Sequence, residues 1–287
     1  MDSKIRIGIV GYGNLGRGVE LAVAQNADMQ LAAVFTRRDP GGVRLQMAGV
    51  PVHGMDDIAR HCAAIDVLIL CGGSKDDLPV QGPQLARLCT TVDSFDTHAK
   101  IPEHFDAVDA AAKAGGHVAL ISIGWDPGLF SLQRLMGEAL LPQGATYTFW
   151  GKGLSQGHSD AVRRVPGVQG GVQYTIPSDE AIERVRSGER PQLNTRDKHV
   201  RECFVVLAPG ADADAVRQTI VTMPDYFADY DTTVHFISAE ELARDHGAMP
   251  HGGFVIRSGG TGAAGETHQT VEFSLKLGSN PEFTASV

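Results

Sequence analysis

Ile5-Arg6-Ile7-Gly8-Ile9-Val10, running directly into Gly11-Tyr12-Gly13-Asn14-Leu15-Gly16, decides the fold. The first six residues are a β-branched run of the kind that forms a buried parallel strand. The next six carry G-x-G-x-x-G spacing, and a helical pattern extends from about Asn14 to Gln25. Strand, glycine turn and helix in that order build a dinucleotide cradle. Gly11 allows the tight turn, Gly13 lets a pyrophosphate reach the backbone, and Gly16 lets helix pack on strand. Tyr12, Asn14 and Leu15 complete the loop, and the free N–H groups of the helix start face the phosphates.

Working outward, strand signals recur at 31–35, 66–71, 90–93 and 118–122, with helical patterns at 78–88 and 104–113. Alternating strands and helices predict an α/β fold whose N-terminal Rossmann domain is a doubly wound parallel sheet. The texture changes at Gly124-Trp125-Asp126-Pro127-Gly128. A helix is expected near 130–140, then alternating segments at 146–150, 200–207, 232–237, 253–257 and 267–277. These predict a second α+β domain of mainly antiparallel sheet, for substrate binding and dimerisation. The expected domains are 1–124 and 125–287. Gly153–Ser159 reads as a flexible polar stretch rich in donors, and the glycine-rich 258–265 as a mobile turn.

The end of the second strand selects the dinucleotide. A carboxylate there accepts from a ribose 2′-hydroxyl, but this chain has Thr36-Arg37-Arg38, with Asp39 next in line. Two guanidinium groups and a hydroxyl suit a 2′-phosphate and predict NADP. Cys71-Gly72-Gly73-Ser74 closes another strand, where its backbone can approach the cofactor.

Ligands of open α/β sheets sit beyond the carboxyl ends of the strands. Asp93-Ser94-Phe95-Asp96 and Trp125-Asp126 fall there. Two carboxylates and an aromatic suit a cationic substrate such as an amine. Arg201 lies in a strand-like run, where an unpaired charge is costly. It either pairs with an acid such as Glu202 or binds a carboxylate ligand. His251 occupies the turn Met249-Pro250-His251-Gly252-Gly253.

Composition narrows the classes. The 287 residues carry 25 basic and 34 acidic side chains, a net charge of −9. That balance disfavours nucleic acid and anionic membrane as partners. Cys62, Cys71, Cys89 and Cys203 form no CxxC pair, so no metal site is expected. Cys71 ends an apolar run and reads as a buried, inert thiol. Met1–Lys4 leads straight into a strand without an apolar leader, so a cytoplasmic protein with reduced thiols is expected.

Longer blocks go further. IGIVGYGNLGRGVE, FTRR, TVDSFDTH, GWDPGLFS, FWGKGLSQGHSDAVRRVPGVQ, QYTIPS, MPDYF, MPHGG and NPEFTAS occur in this order along the chain. Together they resemble the meso-diaminopimelate D-dehydrogenases of the bacterial lysine pathway. The resemblance implies an NADP-dependent homodimer that oxidatively deaminates the D-centre of meso-2,6-diaminopimelate. It implies that Asp96, Asp126, Trp150, Gln156 and Gly157 surround the reacting end. It also implies that Thr175, Arg201 and His251 hold a substrate carboxylate, with Trp125 and Asn280 completing the pocket. A further helix and final segment beyond Val287, returning to the first domain, are implied as well. The rival readings are another NADP-dependent oxidoreductase of the lysine and aspartate pathways, or a non-catalytic NADP-binding regulator. A semialdehyde dehydrogenase among the former needs a nucleophilic cysteine.

Overall fold

The computed structural model describes residues 4–287. They form two compact units: the chain up to Ser131 with Pro281–Val287, and Leu132–Asn280. The first unit is built on six parallel strands, β1 (Ile5–Val10), β2 (Met29–Thr36), β3 (Val52–Gly54), β4 (Val67–Leu70), β5 (Thr91–Asp93) and β6 (Ala119–Leu120). Their order, β3-β2-β1-β4-β5-β6, reverses direction between β1 and β4. That reversal opens the crevice in which such sheets bind ligands. Ile9, Val10, Val34, Phe35, Leu68 and Leu70 are essentially inaccessible, so the sheet is sealed on both faces.

The glycine turn does what its spacing predicts. Gly11 has φ +91°, a conformation that side chains resist, and a Cβ on Gly16 would lie 2.2 Å from Gly11 O. A Cβ on Gly13 would meet nothing within 4 Å, leaving its backbone open to an approaching ligand.

The second unit holds two sheets. One has the order β11-β10-β9-β8, from Asp231–Phe236, His199–Leu207, Val168–Pro177 and Gly153–Leu154. The other, β13-β12-β7, comes from Thr267–Leu277, His251–Thr261 and Gly144–Trp150. All pairings are antiparallel except β10 with β11.

Several expectations need correction. The first compact unit extends through Ser131, and the Leu129 and Phe130 N–H groups donate back to Gly124 and Trp125. The final helix, Asn280–Ser286, sends its last residues to the first unit. Gly18 makes room for it, since a Cβ there would sit 2.9 Å from the Ala285 Cβ. Gly153–Ser159, read as a flexible polar stretch, is regular structure: β8 runs into the helix Gln156–Arg163. Strand β12 continues through Thr261, taking in residues read as a turn. Cys62 and Cys89 are joined as a disulfide with Cα atoms 6.1 Å apart, so the expectation of four free thiols fails for this pair. Neither residue belongs to a motif that brings it beside the other in sequence. No described helix is long and apolar enough to cross a membrane.

Candidate active site

At the sheet reversal lies a cavity of about 260 Å³. Gly11, Tyr12, Gly13, Thr36, Arg37, Arg38, Cys71 and Gly72 line it, all expected from the sequence. Asn14, Leu15, Gly16, Gly73 and Ser74 do not line it. Asn14 and Leu15 begin the helix, and Gly16 serves packing. The Ser74 hydroxyl instead accepts from Asp96 N–H at 3.0 Å. Met55, Asp77 and Gln81 line the cavity without having been expected. Asp77 follows Gly72-Gly73 closely in sequence, a signal that could have found it.

The two arginines are engaged. Arg37 Nη1 and Nη2 donate to Asp77 Oδ1 and Oδ2 at 2.6 and 3.1 Å. Arg38 Nη2 donates to Tyr12 O, and Arg38 N–H donates to Thr36 Oγ1 at 3.1 Å. Tyr12 is anchored below by Glu20, a fully buried carboxylate that also accepts from the Gln46 and Met47 amides. Burial, with Glu20 beside it, pushes the Tyr12 phenol up to about 12.

Strands β5 and β6 are neighbours, and the chain beyond their carboxyl ends carries Asp96 and Trp125-Asp126. Asp96 is exposed, Asp126 half-buried, and Trp125 is buried edge-on to Phe130 at 5.3 Å. Desolvation pushes the Cys71 thiol up to about 12 and does the same to Cys203. Neither thiol is activated by its surroundings, so the semialdehyde dehydrogenase reading gains no support from them.

In the second unit, Gly153, Thr175, Arg201 and Thr232 form one row across β8, β9, β10 and β11. Arg201 is only 5% exposed; it donates to Thr175 Oγ1 and lies 3.9 Å over the Tyr230 ring. Strand alternation sends Glu202 to the opposite face. No ion pair to Arg201 is found among the described residues, so the Glu202 alternative is not realised. Arg201 Nε, His199 Nδ1, Gln173 Oε1 and Thr232 Oγ1 are buried without partners. Orphaned donors and acceptors in such numbers mark a polar ligand site.

Three imidazoles share this region. Burial holds His158 and His199 down at about 3 and His251 at about 4, and the Arg201 charge pushes each the same way. They are neutral near pH 7 and act as hydrogen-bonding groups beside the Arg201 cation. His251 packs on β8: a Cβ on Gly153 would lie 2.4 Å from the His251 ring. His199 Nε2 accepts from Trp150 N–H at 2.8 Å, and the two rings stack at 5.3 Å. The neutral ring then carries its hydrogen on the unpartnered Nδ1.

Gln156 and Gly157 are exposed at the start of their helix. Gln156 Nε2 contacts Met249 Sδ at 3.4 Å, and Asn280 N–H donates to Met249 O at 2.9 Å. Thus Thr175, Arg201, His251 and Trp150 gather around one row, and Gln156 and Asn280 meet at Met249. His199, Gln173 and Tyr230 were missed, although period-two alternation from Arg201 puts His199 on its face.

Comparison with known proteins identifies the family. Residues 124–279 match the family model of the diaminopimelic acid dehydrogenase C-terminal domain. A meso-diaminopimelate D-dehydrogenase of Ureibacillus thermosphaericus is 65% identical over 285 residues, covering 99% of this chain and 86% of that protein. The Corynebacterium glutamicum enzyme is 49% identical over 284 residues, with the same coverage of 99% and 86%. The structure of the C. glutamicum DAP dehydrogenase in complex with DAP superposes with a TM-score of 0.91 at 48% identity, covering 99% of this chain and 86% of that one. An engineered D-amino acid dehydrogenase bound to NADP+ gives a TM-score of 0.88 at 46% identity, with coverage of 99% and 86%. The chain belongs to the meso-diaminopimelate D-dehydrogenase family.

Proposed function

We propose that the chain catalyses the reversible oxidative deamination of the D-centre of meso-2,6-diaminopimelate. Loss of the hydride and a proton leaves an imine, which water hydrolyses to L-2-amino-6-oxopimelate and ammonia, and the step serves lysine biosynthesis in the cytoplasm. The observation that carries this reading is the buried Arg201 row, a cationic site with orphaned hydrogen-bonding groups and no carboxylate of its own. It fits a substrate that brings the carboxylate.

The cofactor cavity fits NADP, with open backbone at Gly13 and with Thr36, Arg37 and Arg38 at the 2′-phosphate position. When bound, NADP supplies the acceptor for the hydride that leaves the D-α-carbon. The protein supplies placement and proton transfer. Asp96 and Asp126 face the substrate ammonium, and one of them takes its proton before oxidation. Trp125 supplies the first unit's aromatic contact to the substrate, and Trp150, Gln156, Gly157 and Asn280 supply the second unit's contacts. Arg201 forks onto the substrate carboxylate, assisted by Thr175 and neutral His251. Recognition of both ends selects which carbon reacts.

A second copy of the chain is the partner. Leu132, Leu135, Met136 and Leu140 follow helical spacing on Leu129–Leu140, and each is more than half exposed. An apolar stripe of this kind is covered in solution. Light scattering should give twice the chain mass, and Leu135→Asp should halve it.

The enzymatic test is NADPH formation with each stereoisomer of diaminopimelate. Turnover of the meso isomer with none of the LL isomer is expected. NADP binding without turnover of any isomer would favour the regulator reading instead.

A further inference from the structure

We propose that His104 is a positioning residue: through Asp93 it fixes the two backbone segments that carry Asp96 and Asp126. The proposal rests on reading Asp96 and Asp126 as the groups that face the substrate ammonium. Asp93 ends β5 and has three kinds of donor on its side chain. Oδ1 accepts from Phe95 N–H at 3.0 Å and from Ser122 N–H at 2.9 Å. Oδ2 lies 2.8 Å from His104 Nε2, and both side chains are 3% exposed. The Asp93 main-chain carbonyl also accepts from Ile123 N–H at 2.8 Å. One residue therefore joins the turn leading to Asp96 with the segment leading to Asp126.

The joint is held from behind. His104 belongs to the helix Ile101–Gly115, and its ring stacks on Phe95 at 4.2 Å with planes 16° apart. Gly82, in the helix Leu78–Ala86, leaves the space the ring occupies: a Cβ there would lie 2.9 Å from His104 Cε1. In this pair His104 acts as the donor through Nε2 and Asp93 Oδ2 as the acceptor. Ser122, clamped by Asp93, holds φ +58°, a left-handed conformation that non-glycine residues adopt only when their surroundings enforce it. A buried carboxylate deprived of one of its donors relaxes toward another, and the clamped amides move with it. The chemistry is sensitive to such movement, because a shift of about 1 Å costs on the order of 100-fold in rate.

The test compares His104→Phe, which keeps a stacked ring but removes the donor, with His104→Gln, which places an N–H near the position of Nε2. His104→Phe should lower kcat for meso-diaminopimelate by about tenfold or more, with the dissociation constant for NADP changed by less than about twofold. His104→Gln should recover kcat to within about threefold of the parent. If His104→Phe fails to fold, Gly82→Ala, which displaces the imidazole without deleting it, should show the same selective loss. Parental kcat in the folded variant, equal losses in Phe and Gln, or NADP binding lost in step with kcat would each overturn the proposal. Asp96→Asn and Asp126→Asn are measured alongside. If either loses turnover while His104→Phe keeps it, the site reading stands and the positioning role falls. If both keep turnover, there is nothing to position and both ideas fall together.

Discussion

The two arginine sites prepare for their ligands in opposite ways. Arg37 is 69% exposed and rests on Asp77, while Arg38 rests on Tyr12 O. Arg201 is 5% exposed and has no carboxylate, with its Nε left unpartnered. An exposed guanidinium in an ion pair is cheap to keep and must exchange partners to bind phosphate. A buried, incompletely satisfied guanidinium costs stability in the free protein, and that cost is recovered when a carboxylate arrives. On the proposed roles, the first site is recruited by its ligand and the second is preorganised for it.

The largest expected effect is on the buried site. Arg201→Lys keeps the charge but loses the planar fork and the flat contact with Tyr230. The Michaelis constant for meso-diaminopimelate should rise on the order of 100-fold, since truncating or misfitting a buried charged partner costs about 2–5 kcal/mol. Steady-state kinetics at saturating NADP check this, and an unchanged value would equate the two sites.

Next comes the exposed pair. Replacing Arg37 and Arg38 together by alanine should weaken NADP by about 10–100-fold, from the loss of charge-assisted hydrogen bonds of about 1.5–3 kcal/mol. NAD should change little, and direct titration with both cofactors decides. Equal weakening of the two would remove the 2′-phosphate assignment.

Stability sharpens the contrast further. Arg201→Met replaces a buried unpaired charge with an apolar chain, so the unliganded protein should melt no lower than the parent and up to about 4 kcal/mol more stably. Arg37→Ala should leave the melting temperature nearly unmoved. A large loss of stability in Arg201→Met would show that the site is structural.

The smallest effect is on pH. His158, His199 and His251 have folded-state values of about 3, 3 and 4, below the unfolded imidazole value near 6.5. Between those limits the unfolded chain binds protons that the native state refuses. Stability is therefore fully present above about pH 6.5 and falls as the pH drops toward 4. His251→Asn should make the decline in melting temperature between about pH 6.5 and 5 shallower. A slope as steep as the parent's would contradict the burial assigned to that ring.

How much the sequence disclosed follows from where its constraints are local. The nucleotide cradle was legible because Gly11 and Gly16 answer to neighbours only a few residues away. Strand β9, Val168–Pro177, was passed over because VQGGVQYTIP lacks clean alternation, although it supplies Thr175 and Gln173. The start of the helix Gln156–Arg163 read as flexible and polar because the helix buries only Ser159 and Val162. Gly259 and Gly260 read as a turn but lie in β12, where a Cβ would strike Gln143 O at 2.8 Å and Gly265 O at 2.2 Å. Arg201 stood out as a costly charge in a strand. Strand alternation alone puts His199 on the Arg201 face, whereas Tyr230 reaches Arg201 only through the fold and had no local signature. The Cys62–Cys89 bond is hidden for the same reason.

The central claim is that the Arg201 row reads a substrate carboxylate. The most direct measurement is kcat/KM for meso-diaminopimelate against D-lysine, which lacks one carboxylate, in the parent and in Arg201→Met. The parent should prefer meso-diaminopimelate by about 100-fold or more, and the variant should lose most of that preference by losing activity on meso-diaminopimelate alone. A preference that survives the substitution unchanged would contradict the account, because the carboxylate would then be read elsewhere.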